Sequence, residues 1–344
     1  MTRADSYAAA GVDVEAANRT KQRIRSLVRG TFTPEVLSDI GGFGGLFEPR
    51  WNEYEHPVLV ASVDSVGTKL KVAFRMDRHD TVGIDIVAHC ANDILVQGAQ
   101  PLFFLDYIGM GKHLGEVVER VVAGVAEGCK RVGCVLLGGE MAELPEFYQQ
   151  GEYDLAGTMV GVVDRERIID GSTIRPGDKI LGLASDGLHT NGYSLARKLI
   201  FQQAKLGVDT YVDALSRTIG EELLRPHRSY VRPVLEVYRT IPIKGIAHIT
   251  GGGFQDNIPR VLPDGASVEI SLGTWPTPAI FSFLQEIGNV TLEEMYHVFN
   301  MGIGMVAILS PEDEDAAAAM LEAQGEEVFH IGRVTAGDGD VTFV

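Results

Sequence analysis

Residues 82–109 read VGIDIVAHCANDILVQGAQPLFFLDYIG. The first part has helical spacing: Val87, Cys90, Ala91, Ile94 and Leu95 make one apolar stripe, and Gly98 is a natural C-terminal stop. The second part, PLFFLDYIG from residue 101, is a short apolar, aromatic run of the kind that forms a strand. A helix feeding a strand over this distance is half of a layered α/β unit. On the N-terminal side, VLVASVD (58–64) reads as a buried strand. On the C-terminal side come a helix at 116–133, strands at 134–139 (CVLLGG) and 154–164 (DLAGTMVGVVD). The order β-α-β-α-β-β places this half of the chain in the α/β class.

The stretch RERIIDGSTIRPGD (165–178) is polar and punctuated by Gly and Pro, so a domain boundary is expected near 170, giving domains 1–170 and 171–344. A second alternation follows. Strands are expected at 179–185, 245–250, 267–270 and 304–310, and a helix from 192. Another opens at Thr291 with a capping box to Glu294, and an Ala-rich helix runs from Ser310-Pro311 to Gly325. The length, 344 residues, also favours two cores over one.

Net charge is −17. An acidic surface argues against nucleic acid and anionic membranes as partners, but not against nucleotides, because a metal ion bridges carboxylates to phosphates. Cys90, Cys129 and Cys134 form no CxxC pair and sit in apolar runs, as reduced core residues do. The N-terminal residues contain no apolar signal-like region and no run approaches ~20 apolar residues, so a cytoplasmic protein is expected.

The chemistry-bearing segments are short. DIGGFGGLF (39–47) sets Gly41, Gly42, Gly44 and Gly45 around Phe43. It is either a plain linker or a loop whose bare backbone must approach a ligand such as a phosphate. Asp64 ends one strand, with Lys69 five residues on; together they suit a metal and a phosphate, or equally a turn aspartate beside a solvated lysine. On the helix, Asp85, His89 and Asn92 share a face with Asp93 beside them. Small acids and amides are poor helix formers but good Mg²⁺ ligands, which favours a metal-phosphate surface over a solvated face. Gly138-Gly139-Glu140 repeats the pattern of a strand ending in a carboxylate, with Glu143 close behind.

Two more loops lie in the second half. Leu188-His189-Thr190-Asn191 stands between a strand and a helix, and His248 precedes Gly251, Gly252 and Gly253. Both place donors where a helix N-terminus favours anions, although a lone histidine is more often structural. Gly302 and Gly304 fit a relaxed dinucleotide fingerprint but lead into a strand, which excludes that reading.

Taken in order, AGVDVEAAN, GGFGGLF, VDSVGTKLK, GIDIVAHCANDILVQGAQPLFFLDY, GGEMAELP, YDLAGTMVGVV, GLHTNGYSL, HITGGGFQDNIPRVLP and EEMYHVFNMGIGM resemble the AIR synthetase (phosphoribosylformylglycinamidine cyclo-ligase) family nearly end to end. The resemblance implies a mixed α/β N-terminal domain that pairs into a homodimer through its sheet, and an α/β C-terminal domain. It implies an ATP- and Mg²⁺-dependent ligase that closes the imidazole ring of aminoimidazole ribonucleotide from formylglycinamidine ribonucleotide in purine biosynthesis. By the same resemblance, Gly41–Gly45 cover the ATP phosphates with Phe43 as a plug. Asp64, Lys69, Asp93, Gly138, Gly139 and Glu140 belong to the nucleotide end, with Asp64, Asp93 and Glu140 near the metal. His189, Thr190, Asn191, His248 and Gly251–Gly253 lie toward the substrate, with His189, Asp64 and Asp93 expected in the chemistry. Arg25, Met141 and Met301 stand where the family commonly has Lys, Thr and Cys, and Asp186 is an added acid. Related ATP-using enzymes, a selenophosphate synthetase or a thiamine-phosphate kinase, are the rival readings; the first calls for a reactive Cys in residues 39–47, which hold none. A non-catalytic nucleotide-binding protein is the third, and would be expected to lose the acids.

Overall fold

The computed structural model describes residues 14–344, so the first part of the AGVDVEAAN motif lies outside the described residues. The chain divides into two compact units. One takes the described chain up to Ile94 together with Pro101–Asp164; the other takes Leu95–Gln100 and Arg165–Val344.

The first unit is a four-stranded sheet flanked by helices. Its elements are α1 (Val14–Arg29), β1 (Pro57–Ser65), α2 (Leu70–Met76), α3 (Asp80–Leu95), β2 (Gln100–Met110), α4 (Gly115–Val132), β3 (Val135–Glu143) and β4 (Tyr153–Asp164). The sheet order is β1-β4-β2-β3. β2 and β3 run parallel across the helical crossover α4, and β1 and β4 run antiparallel. α1 packs against α4 and β3. The helix expected over 82–99 is α3. It is buried almost all round, so Asp85, His89 and Asn92 are enclosed polar groups and form no solvated face.

β1 departs from the reading as a buried strand. Exposed and half-buried residues alternate along it and none is buried. It is an edge strand, and its outward residues are apolar: Leu59 is 58 % and Val63 70 % exposed. Leu105 and Tyr107 of β2 are also exposed. β3 departs as well. It runs on to Glu143, so Gly138, Gly139 and Glu140 lie inside the strand and not beyond its end.

The second unit carries a six-stranded sheet in the order β12-β9-β11-β5-β10-β8. Its elements are β5 (Lys179–Ala184), α5 (Tyr193–Arg197), β6 (Tyr211–Val212), β7 (Arg217–Thr218), α6 (Ile219–Leu223), α7 (Val231–Tyr238), β8 (Gly245–His248), α8 (Gly253–Asn257), β9 (Ala266–Ile270), α9 (Ala279–Gly288), α10 (Leu292–Val298), β10 (Ile303–Leu309), α11 (Glu314–Ala323), β11 (Val328–Ala336) and β12 (Val341–Phe343). Pairing is antiparallel apart from β12 with β9. α5 continues as a π-helical stretch, Lys198–Gln203. Thr291 caps α10 by accepting from the Glu294 amide, one half of the expected capping box, whereas the Ala-rich helix starts later than Ser310-Pro311, with Asp313 as its N-cap. β10 and β5 are buried along nearly their whole length and form the centre of this core.

Candidate active site

The glycine-rich loop is the mouth of a cavity in the first unit, about 820 Å³, lined by α1, Gly41–Gly45 and the Leu137–Met141 part of β3. The neck of the loop is closed by the Leu37 amide on the Leu46 carbonyl (2.9 Å) and the Leu46 amide on Ser38 Oγ (2.8 Å). Two arginines of α1 hold its entry. Arg29 pairs with Asp39 through both carboxylate oxygens, and Arg25 donates to the Ile40 carbonyl at 3.3 Å. The Arg29 hydrogen bonds hold Asp39 down at about 2.

Two of the loop glycines are required by geometry. Gly41 has φ +101°, and a Cβ on Gly45 would stand 2.4 Å from Leu137 Cγ. Gly44 faces open space and a Cβ on Gly42 would meet only the Gly44 carbonyl at 3.7 Å, so both leave backbone available to the cavity. The Phe43 ring is fully exposed at the loop tip, at the edge of the cavity. Glu140, Gly138 and Gly139 line the same cavity, as does Asp106 of β2. Burial raises the Asp106 carboxyl to about 7.

Asp64 and Asp93 meet elsewhere in this unit. His89 Nε2 lies 2.9 Å from Asp64 Oδ2 and 3.8 Å from Asp93 Oδ2, and Ser62 Oγ donates to Asp93 at 3.1 Å. Burial lowers the His89 pKa, but the hydrogen bond to Asp64 and the charges of Asp93, Asp64 and Asp85 outweigh it, so the net shift is upward. Both carboxylates keep partial exposure. Oxygen donors of this kind, two carboxylates and a hydroxyl on rigid elements, suit a hard divalent cation. Glu140 belongs to the cavity wall, and neither Asp64 nor Asp93 lines that cavity.

Lys69 requires a correction. It is fully buried, and its Nζ is 2.9 Å from Asp85. Its charge is spent on a buried carboxylate, so it is not a surface cation for phosphate. Glu143 accepts from the His113 amide at 2.8 Å and serves the local turn.

In the second unit, the turn after β5 is tied down by Ser185 and Asn300. Ser185 Oγ donates to Asn300 Oδ1 (2.8 Å), and Asn300 Nδ2 donates to the Gly187 carbonyl (2.9 Å). His189 takes φ +58°, and its Nε2 accepts the Asp186 amide at 3.0 Å. Asp186 thus has a backbone role, while its carboxylate pairs with Arg225 (3.2 Å) and Arg228 (3.6 Å). The loop Gly251–Gly253 is braced by Asn257, whose Nδ2 donates to the Gly253 carbonyl at 2.7 Å. Asn191 and this loop come together: Asn191 Oδ1 is 3.5 Å from where a Gly251 Cβ would stand. The helix that follows, α8, has only five residues, so the loop's anion affinity rests on its own amides and not on a long helix dipole. Gly302 and Gly304 are packing glycines. A Cβ on Gly304 would lie 2.1 Å from Tyr230 Oη and 2.6 Å from His189 Cε1.

Sequence reading missed His227. It joins His189 and His248 in a buried cluster, and nothing in the polar segment LLRPHRSY signals that contact.

A nucleotide-sized cavity under a glycine loop and, elsewhere in the same unit, a carboxylate pair suited to a cation are the features of an ATP-using enzyme of the AIR-synthase-related class. The model of the AIR synthase related protein N-terminal domain matches residues 53–163, and that of the C-terminal domain matches residues 175–344. Phosphoribosylformylglycinamidine cyclo-ligase of Trichlorobacter lovleyi is 54 % identical over 96 % of this chain and 94 % of its own length. The cyclo-ligase of Geobacillus sp. is 52 % identical, covering 98 % and 97 %, and that of Syntrophus aciditrophicus 50 % identical, covering 100 % and 99 %. The chain belongs to the phosphoribosylformylglycinamidine cyclo-ligase family and is a ligase. The fold is shared more widely. Thiamine-monophosphate kinase from Stenotrophomonas maltophilia superposes with TM-score 0.67 at 19 % identity, over 95 % of this chain and 94 % of the kinase. Hydrogenase maturation protein HypE in complex with ATP superposes with TM-score 0.66 at 20 % identity, over 98 % and 93 %. At such identities the likeness concerns the fold alone.

Proposed function

We propose that this chain converts formylglycinamidine ribonucleotide to aminoimidazole ribonucleotide with ATP and Mg²⁺, releasing ADP and phosphate. The observation that carries the reading is full-length identity near 50 % to cyclo-ligases, with the carboxylate pair and the glycine loop both intact. An amide oxygen is a poor leaving group. Phosphorylating it gives an iminophosphate, which an internal nitrogen attacks; the ring closes and phosphate departs. Such chemistry asks a protein mainly for positioning and charge neutralisation.

Gly41–Gly45 supply backbone amides to the phosphate chain, and Arg25 and Arg29 hold the loop's entry through Asp39 and Ile40. Asp64 and Asp93 would hold the Mg²⁺, while Glu140 lines the separate glycine-loop cavity. The cation, when bound, neutralises phosphate charge. His89 bridges the two aspartates and fixes their orientation. Asn191 and the Gly251–Gly253 amides bind the ribonucleotide. His189 accepts the Asp186 amide at Nε2, so its proton sits on Nδ1 and it serves as a hydrogen-bond donor to developing negative charge.

The apolar outer face of β1 and β2 is the surface through which two copies pair. Leu59, Val63, Leu105 and Tyr107 on one sheet are the kind of exposed edge that a partner covers.

The test is a coupled assay with formylglycinamidine ribonucleotide and Mg-ATP, reading ADP and aminoimidazole product together. Asp93→Ala is expected to lower turnover by about 100-fold or more. ATP hydrolysis that ignores the ribonucleotide would favour a kinase-like activity instead. No helix among the described residues is long and apolar enough to cross a membrane.

A further inference from the structure

Three histidines from three segments meet in the second unit. His189 comes from the turn after β5, His227 from the segment between α6 and α7, and His248 from the end of β8. They are 1 %, 2 % and 6 % exposed. His227 is the middle member. Its ring stacks on His189 with centroids 4.1 Å apart and planes 21° from parallel. Its Nε2 is 3.1 Å from His248 Nε2, and its Nδ1 is 3.2 Å from Thr190 Oγ1. Both ring nitrogens are therefore engaged, and the catalytic reading above uses neither.

A contact between two imidazole nitrogens holds one proton, so one ring donates and the other accepts. A neutral imidazole has one N–H. If His227 donates from Nε2, then Thr190 donates to its Nδ1 and His248 carries its proton on Nδ1. If His227 donates from Nδ1 to Thr190, then His248 donates from Nε2. Either way the tautomer of His248 is fixed by what His227 does, and the Thr190 hydroxyl, able to donate or accept, is fixed with it. The close-packed stack keeps His189 flat at the same time.

We propose that His227 is a positioning residue: through one hydrogen-bonded chain and one stack, it sets the tautomer of His248, the hydroxyl direction of Thr190 and the ring plane of His189. Its effect on turnover rests on the assignment of those three residues to the substrate end. The three histidine nitrogens are also close enough to be considered as metal ligands, all lying within 4.8 Å of one another. The geometry favours the hydrogen-bonded chain. Near-parallel stacked rings send their in-plane lone pairs side by side instead of toward a common ion, and His189 already accepts the Asp186 amide at Nε2.

Three substitutions separate the contacts. His227→Phe keeps a flat ring and removes both hydrogen bonds. His227→Gln puts an amide near the place of Nε2, and His227→Asn near that of Nδ1. Full-length enzyme labelled with ¹⁵N-histidine, which has nine histidines, is read by imidazole nitrogen spectra and steady-state kinetics. In His227→Phe the His248 nitrogens are expected to leave a single tautomer for an average of two, and kcat to fall about tenfold with KM nearly unchanged. His227→Gln is expected to return kcat to within about threefold of the parent, and His227→Asn not to. Unaltered His248 nitrogens and kcat in His227→Phe would overturn the proposal, as would Gln performing no better than Asn. If the Phe variant fails to fold, the Gln and Asn pair decides by the same readouts. Tight one-to-one Zn²⁺ binding by calorimetry, lost in His227→Gln, would also overturn it in favour of a metal site. Full turnover in His248→Ala would strike the substrate-end assignment alone, and the nitrogen spectra would still decide the coupling.

Discussion

Asp106→Asn is expected to stabilise the first unit, and to do so only above mildly acidic pH. Asp106 is 9 % exposed, against Gly139 of β3, and burial lifts its carboxyl from 3.8 to about 7. The folded pKa lies above the unfolded one. Below about 3.8 both states hold the proton and nothing is lost. From there to about 7 the unfolded chain is ionised while the folded one stays protonated, so stability falls with rising pH. At 1.36 kcal/mol for each pH unit, the loss reaches a ceiling of about 4 kcal/mol. Asp106 lines a cavity open to water, which relieves part of the desolvation, so about 1–3 kcal/mol is expected at pH 8. Asn has nearly the same shape and does not ionise. The assay is urea unfolding at a series of pH values in a Trp275→Phe background, where Trp51 is the remaining tryptophan and reports on the first unit. The Asn advantage should vanish near pH 4 and grow to a plateau near pH 8. An advantage equal at both ends, or absent at pH 8, would refute burial as the cause.

Other consequences are as direct. Lys69→Met leaves Asp85 charged and enclosed, and is expected to cost about 3–5 kcal/mol in chemical denaturation; adding Asp85→Leu should recover most of it. Gly45→Ala drives a methyl into Leu137, so the loop shifts: the KM for ATP is expected to rise about tenfold while thermal stability changes little, since the loop is exposed. Wild-type KM in Gly45→Ala would mean that the loop does not touch nucleotide. Val63→Lys puts a charge on the outer sheet face and is expected to yield monomers by light scattering; an unchanged mass would locate any pairing elsewhere.

The helix at 80–95 was legible because its apolar period is regular, and most strands were legible because their runs are short and bounded by turns, whereas β11 (Val328–Ala336) and β12 (Val341–Phe343) were not read as strands. Asp64, Asp93 and the glycine loop stand out in the sequence because small acids and clustered glycines are costly without a use. Around the candidate site, three things were not legible. Whether VLVASV faces a core or open space depends on its place at the sheet edge, and an edge strand and a central one share the same letters. Lys69 was read locally as a phosphate cation, whereas its partner Asp85 lies 16 positions on and one helix away. His227 sits alone among polar residues, and only the path of β8 and of the turn after β5 brings it between two other imidazoles.

The pinned neck of the glycine loop sets a ruler. The backbone bond from the Leu37 amide to the Leu46 carbonyl holds the two stems together, and residues 38–45 make up the loop between them. Phe43 lies three residues from Leu46, so at 3.3–3.6 Å per residue about 10 Å is the furthest its backbone can travel from that hinge. Such a flap swings on a fixed radius and does not peel away from its base. Removing even two residues would shorten its grasp by several ångströms at full extension, whatever their identity, so length as well as composition is under constraint in this segment.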